Sequence, residues 1–123
     1  VESAGILSLA RERGLRAEFV APGRFKTKLE PEAEDRIVAL LREADVEWVG
    51  LAGWMRMIKA PLLDAFPARI INIHPSLLPN FPGLEAWKQA LTAGVIETGC
   101  TVHYVDAGMD SGEIIGTALD RLR

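Results

Sequence analysis

The chain has 123 residues, of which 49% are hydrophobic and 25% are charged, a composition typical of one ordinary globular domain. Its net charge is −3, and its longest basic stretch, residues 24–28, is short and interrupted, which argues against a nucleic-acid-binding face. Its single cysteine excludes an intramolecular disulfide, and no apolar run approaches the roughly 20 residues of a membrane span. We therefore expect a cytoplasmic protein that binds neither membranes nor nucleic acid.

Apolar periodicity and helix-end signals predict helices that alternate with strands. The predicted helices cover residues 2–13, a segment that begins at Pro31, residues 61–66 and residues 83–93, with Gly14 and Gly94 as stop signals. The predicted strands cover residues 17–20, 47–52, 69–73, 100–105 and 113–119. This alternation indicates an α/β domain with a Rossmann-like, mostly parallel sheet and helices on both faces.

The segment 69–79 runs an apolar strand into a loop that is stiffened by prolines, and it carries Asn72 and His74. Side chains two apart in a strand share a face and lie about 6.6–6.8 Å apart, so these two can converge on one ligand. Pro75 restrains His74 to extended geometry. Because ligands of parallel sheets bind beyond the carboxyl ends of the strands, we expect this loop to meet residues 53–58 and 106–112 at one rim.

The loop 106–112 offers two carboxylates, Asp106 and Asp110, among its glycines. A carboxylate that faces His74 would favour the charged imidazolium and make it a useful catalytic acid. An Asx-rich turn without a function is the alternative interpretation. The loop lacks the Asp-x-Asp-x-Asp-Gly spacing of a calcium loop, so we do not expect calcium there.

Other side chains with chemical potential have weaker support. We interpret His103 as structural because its sequence neighbours supply no partner, and Cys100, within a strand, as a buried inert thiol. Ser76 lacks the Gly-x-Ser-x-Gly elbow of a nucleophilic serine. The cysteine, histidine and aspartate spacings do not match a metal motif. We therefore expect no metal and a nucleophile that comes from a substrate.

An apolar cluster follows the strand at residues 47–52 and includes Trp54, Met55, Met57 and Ile58. Such residues are most often core, but their position at a strand end would also suit a flat heterocycle. The chain contains no Gly-x-Gly-x-x-Gly phosphate loop. A phosphate site, if one exists, must use another element.

Three motifs in order carry a resemblance to a known family: residues 52–58 (AGWMRMI), residues 72–83 (NIHPSLLPNFPG) and residues 106–112 (DAGMDSG). Together they resemble the folate-dependent formyltransferases, over essentially the whole chain. Within that family the resemblance is greatest to enzymes that act on glycinamide ribonucleotide. It implies transfer of a formyl group from 10-formyltetrahydrofolate to the amine of that nucleotide in purine biosynthesis, without a covalent enzyme intermediate.

The resemblance also implies roles for individual residues. Asn72 would donate a hydrogen bond to the formyl oxygen, charged His74 would stabilise the oxyanion and supply a proton, and Asp110 would hold His74. The residues expected to bind substrate are Asn72, Met55, Arg56, Met57 and Ile58, the last four largely through their backbone, and Lys28, which would face the acidic tail of the folate.

The chain also departs from the family pattern. We expect it to be a single domain, residues 1–123, truncated at both ends, without the phosphate-binding strand and loop or the closing strand and helix. Glu113 stands where a proline is expected. Such a fragment is expected to show little turnover. Formyltetrahydrofolate deformylase, in which water replaces the amine, and a folate-binding or structural remnant without catalysis remain the alternatives.

Overall fold

The computed structural model describes residues 2–121. Within this range, helices and strands follow one another along most of the chain. The helices are α1 (Gly5–Glu12), α2 (Pro31–Glu43), α3 (Ala60–Ala65) and α4 (Ala86–Ala93). The strands are β1 (Val49–Leu51), β2 (Ile70–His74), β3 (Glu97–Tyr104) and β4 (Ile114–Arg121).

The helix ends follow the sequence signals. Pro31 occupies the first turn of α2, where its missing N–H leaves no bond unmade, and Glu32 and Glu34 lie in the same turn. Gly14 and Gly94 have φ values of +73° and +69°, the left-handed geometry that ends a helix and that glycine adopts without strain. The predicted stop signals for α1 and α4 are therefore confirmed.

The four strands form one sheet in the order β1-β2-β3-β4. Only β1 and β2 run parallel, whereas β2–β3 and β3–β4 are antiparallel. The predicted α/β class is confirmed, but the described sheet is mixed rather than mostly parallel. The physical reason is clearest at β3 and β4, which a loop of residues 105–113 joins, because a parallel pair needs a crossover of about a dozen residues or more.

The predicted strand at residues 17–20 is wrong. This segment has no ladder partner within residues 2–121, and a strand is stable only when its backbone groups are paired with a neighbour. Lys28 instead makes an isolated parallel bridge with Met57, close to the loop that follows β1. The composition of residues 17–20 favours a strand locally, but the described structure offers this segment no strand to pair with.

The hydrophobic core lies between α2, α3 and β2. Its buried members are Val38, Ile58, Leu62, Phe66 and Ile70. On the opposite side of β2, Ile73 is 47% exposed, so helical cover of that face is incomplete over the described residues. Among those residues, no helix has the length and apolar character to cross a membrane.

A buried carboxylate ties α2 to α3. Glu34, only 2% exposed, accepts hydrogen bonds at Oε1 from the backbone N–H groups of Lys59 and Leu62, each at 3.1 Å. These donors lie at the start of α3, where N–H groups have no partner within the helix. The bond therefore fixes the end of the loop that connects β1 to α3.

Candidate active site

The site begins on β2. Ile70, Asn72 and His74 share one face of the strand, and the register places Asn72 opposite His103 and His74 opposite Thr101 of β3. Ile70 packs in the core. Asn72 and His74 therefore lie on the same face of the sheet as the core, further along the strand than Ile70.

His74 contacts Asp110, as the sequence predicted for a carboxylate in that loop. Its Nδ1 lies 3.5 Å from Asp110 Oδ2, and its Nε2 lies 2.9 Å from the carbonyl oxygen of Phe81. Both oxygens can only accept hydrogen bonds, so a doubly protonated ring satisfies both contacts. The His74 side chain is only 6% exposed and that of Asp110 13%, which strengthens the interaction of the pair.

Asp110 reaches His74 by an unexpected route. Because β3 runs antiparallel to β2, the loop 106–112 leaves near Ile70, where the Val105 N–H donates to the Ile70 carbonyl at 2.9 Å, and not beyond His74. The prediction that three loops meet beyond parallel strand ends is therefore wrong for this loop. The loop instead folds back over the sheet, and the Gly83 N–H holds Asp110 Oδ2 at 2.8 Å.

Asn72 completes the cluster. Its Nδ2 lies 3.5 Å from His103 Nε2, while its Oδ1 is buried and has no hydrogen-bond partner among the described residues. Buried polar atoms are rarely left unpaired, and such an atom in a cluster of polar groups indicates a contact that a ligand could complete.

The loop after β2 is held in place by a buried side chain of β3. Thr101, fully buried, donates its hydroxyl to the carbonyl of Ser76 at 2.7 Å and accepts from the Leu78 N–H at 3.0 Å. Ser76 is also fully buried and donates to the carbonyl of Asn80. Ser76 therefore stabilises the loop that presents the Phe81 carbonyl to His74.

The loop that follows β1 lies beside the cluster, because Leu51 at the end of β1 pairs with Asn72. Of the residues predicted there, Met55 is 60% exposed, whereas Ile58 is 3% exposed and belongs to the core. The Ile58 side chain therefore serves the core, and Met55 is the exposed member of residues 55–58. Trp54 packs against the same core, and its buried Nε1 has no partner among the described residues.

Residues 25–28 support this loop from outside. The Met57 N–H donates to the Thr27 carbonyl at 2.8 Å, and Arg56 Nε donates to the Phe25 carbonyl at 3.4 Å. The exposed Lys28 places its ammonium 4.5 Å from the centre of the Phe25 ring. The structure therefore brings Lys28 to the loop after β1, and Arg56 has a structural contact of its own.

Sequence reasoning missed the place of His103. It was interpreted as structural because its sequence neighbours supply no partner, but partners come from elsewhere in the fold: its Nε2 lies 3.5 Å from Asn72 Nδ2 and 3.8 Å from Asp110 Oδ1. The signal was cross-strand pairing, which sequence spacing does not reveal without the register. The hydrogen bond from the Gly83 N–H to Asp110 was also not predicted, although Gly83 belongs to the motif of residues 72–83.

An open groove of about 510 Å³ runs along the outer side of the loop that covers His74. Its lining residues are Phe81, Leu84, Glu85, Lys88, Gln89, Thr92 and Ala93. Asn72, His74 and Asp110 do not line it. Within residues 2–121 no group of three or more histidine, cysteine or acidic side chains could hold a metal ion.

The formyl transferase family model matches residues 4–119 of the chain. The chain belongs to this family. The resemblance of its three motifs to the formyltransferases is thereby confirmed, and the mixed sheet with its helices matches the formyltransferase fold.

Individual formyltransferases and related enzymes show the same similarity. The chain is 57% identical to phosphoribosylglycinamide formyltransferase of Bacillus subtilis over 82 residues, which cover 67% of this chain and 42% of that protein. The crystal structure of phosphoribosylglycinamide formyltransferase from Bacillus halodurans superposes with a TM-score of 0.89 at 39% identity, covering 98% of this chain and 61% of that chain. The crystal structure of a formyltetrahydrofolate deformylase from Pseudomonas syringae superposes with a TM-score of 0.82 at 28% identity, covering 94% of this chain and 38% of that chain. This chain thus spans less than two thirds of these relatives.

Proposed function

We propose that the protein transfers a formyl group from 10-formyltetrahydrofolate to the primary amine of glycinamide ribonucleotide, a step of purine biosynthesis. The observation that carries this proposal is the buried contact between His74 and Asp110, with Asn72 on the same face of β2. The relatives named as phosphoribosylglycinamide formyltransferases support the choice of acceptor.

Each residue of the cluster has a separate role in this reaction. Attack of the amine on the formyl carbon develops negative charge on the formyl oxygen, which Asn72 and charged His74 stabilise by donating hydrogen bonds. Preorganised donors of this kind contribute about 2.7–4 kcal/mol each in acyl transfer. Asp110 holds the imidazolium in place. As the bond from the formyl carbon to the folate nitrogen breaks, His74 supplies a proton to that nitrogen, which contributes on the order of 10²–10⁴ in rate. The attacking amine gives up one proton in the same reaction, which returns His74 to its charged form.

The Phe81 carbonyl must give way during this reaction. It accepts the hydrogen bond of His74 Nε2 at 2.9 Å, and Asp110 faces the other ring nitrogen. The imidazole therefore has no nitrogen left for the formyl oxygen until that bond is exchanged for one to substrate. The reactive arrangement requires a shift of the loop that carries Phe81.

The loop after β1 forms the folate-binding part of the proposed site. Met55 is largely exposed there, and the backbone of Arg56, Met57 and Ile58 follows it. The backbone of Lys28 is bridged to Met57 of this segment, and its exposed ammonium supplies positive charge for the carboxylates of the folate tail. Both substrates are small molecules, and the proposed reaction needs no metal.

Hydrolysis of formyltetrahydrofolate is the second candidate, because the Pseudomonas syringae deformylase has a similar fold. The two reactions are separated by an assay of the full-length protein with 10-formyltetrahydrofolate, in the presence and absence of glycinamide ribonucleotide. Formylated product that depends on the amine supports transfer. Formate release without the amine supports hydrolysis. Calorimetric binding of a folate analogue with neither reaction identifies a binding or structural remnant, and it overturns the proposed activity.

A further inference from the structure

His103 is a buried histidine that the proposed reaction does not use. It is 2% exposed and lies directly opposite Asn72 in the antiparallel ladder. Burial of an imidazole is costly unless its nitrogen atoms are hydrogen-bonded. The partners of its two nitrogens therefore define what this residue can do.

The Nδ1 of His103 is fixed as a donor. It lies 2.9 Å from the carbonyl oxygen of Tyr104, which can only accept, so the Nδ1 atom carries the hydrogen. In the neutral ring, Nε2 is then a bare acceptor. A hydrogen bond to one nitrogen commonly sets the role of the other in this way.

The bare Nε2 of His103 fixes the orientation of the Asn72 amide. It lies 3.5 Å from Asn72 Nδ2 and 3.8 Å from Asp110 Oδ1, and of these two groups only the amide can donate. One N–H of Asn72 is thus directed to His103. The second N–H is then left for a ligand, whereas Oδ1 is buried and has no partner among the described residues.

We propose that His103 is a positioning residue: its Nδ1–H tautomer turns the Asn72 amide so that the second N–H meets the formyl oxygen. The proposal rests on the proposed formyl transfer for its catalytic consequence. The orientation of the amide does not depend on that function. An isolated asparagine would place N–H or oxygen toward the substrate with similar ease, and the oxygen would repel the developing negative charge.

Two substitutions at this position isolate the acceptor. His103→Phe keeps the buried ring but removes Nε2, whereas His103→Gln supplies a side-chain oxygen as an acceptor. We expect kcat to fall about tenfold in His103→Phe with KM changed less than twofold, as for the loss of one hydrogen bond, and His103→Gln to recover most of the rate. Equal losses in the two variants, or no loss in His103→Phe, would overturn the proposal.

A double-mutant cycle with Asn72→Ala tests whether His103 acts through Asn72. In the Asn72→Ala background, His103→Phe should lower kcat by no further factor. An undiminished tenfold loss there would show that His103 acts elsewhere.

The tautomer can be measured without any activity assay, with His103→Phe needed only to assign the signal. Nitrogen-15 NMR of the full-length protein, labelled in histidine, should show one neutral ring with a protonated Nδ1 and a bare Nε2, assigned by its loss in His103→Phe. A doubly protonated His103, or the Nε2–H tautomer, would overturn the proposal even if formyl transfer is observed. Absence of formyl transfer with the expected tautomer would refute the proposed function alone.

Discussion

At the scale of single residues, the proposed chemistry depends on one histidine with two acceptor contacts. His74 has Asp110 on one ring nitrogen and the Phe81 carbonyl on the other. In the proposed reaction, the carboxylate holds the ring from one side, and substrate takes the place of the carbonyl on the other. The two ring nitrogens of His74 thus have different roles: one binds Asp110, and the other would donate its proton to the substrate.

Replacement of His74 by alanine should abolish formyl transfer because it removes both an oxyanion donor and the proton source. We expect a fall in kcat of at least about 10³-fold, measured by amine-dependent product formation in the full-length protein. The fold should survive, as judged by circular dichroism. A rate near that of the unmodified protein would refute the assigned role.

Asp110→Asn should lower kcat by about 10²-fold, because the amide can still accept from the Gly83 N–H but no longer carries the charge that holds the imidazolium. Asp106→Asn in the same loop is the matched control. Asp106 is exposed and, in the described part of the chain, accepts hydrogen bonds from the Gly108 N–H and the Ser111 hydroxyl of its own loop, so its variant should keep near-normal kcat. Similar losses in the two variants would show that the effect comes from the loop and not from the charge.

At the scale of elements, α2 does more than cover the sheet. Through Glu34 it fixes the start of α3, and with it the end of the loop proposed to bind folate. The opposite end of that loop is fixed by the pairing of β1 with β2. The exposed Met55 therefore lies on a segment that is anchored at both ends.

Glu34→Ala should lower the free energy of unfolding by about 1–3 kcal/mol, because two backbone donors lose their shared buried acceptor. Glu34→Gln retains a side-chain oxygen and should lose clearly less. Urea denaturation of the two variants and the unmodified protein measures the difference. Equal stability of Glu34→Ala and Glu34→Gln would show that the hydrogen bonds to α3 contribute little.

At the scale of the whole molecule, the described core is small and lies between α2, α3 and β2. Its central member, Leu62, is 1% exposed, whereas α1 contributes no buried residue. Domains of this size are typically stable by only about 5–15 kcal/mol, so a single cavity in this core removes a large part of the total.

Leu62→Ala should therefore destabilise the protein by about 2–5 kcal/mol, with a matching decrease in the midpoint of thermal unfolding. Leu91→Ala is the control, since Leu91 is also helical but 57% exposed. It should change stability by less than about 0.5 kcal/mol. If the exposed leucine mattered as much as the buried one, the assignment of the core would be wrong.

Signals that act over a few residues predicted the structure well. Pro31 marked the start of α2, Gly14 and Gly94 marked the ends of two helices, and the strand from residue 69 contained Asn72. Each of these depends on local backbone geometry, which a single sequence encodes directly.

Properties that depend on strand pairing were not predictable from the sequence. Residues 17–20 have the composition of a strand but pair with no strand among residues 2–121, and β3 and β4 run antiparallel to their neighbours. The same limitation hid His103, whose contact with Asn72 exists only in this register. The contact of Asp110 with His74 was expected from the family resemblance, although the loop reaches His74 from the other end of the strand.

The register of β3 also limits which length changes the chain can tolerate. Side chains alternate between the two faces of a strand, so one residue inserted or deleted beside Thr101 or His103 would turn part of the strand over. The hydrogen bonds of Thr101 to the loop after β2 and the contact of His103 with Asn72 would then be lost together. Natural variants of this domain should therefore keep the spacing within the hairpin strands and collect their insertions in segments such as residues 15–24, which pair with no strand in the described structure.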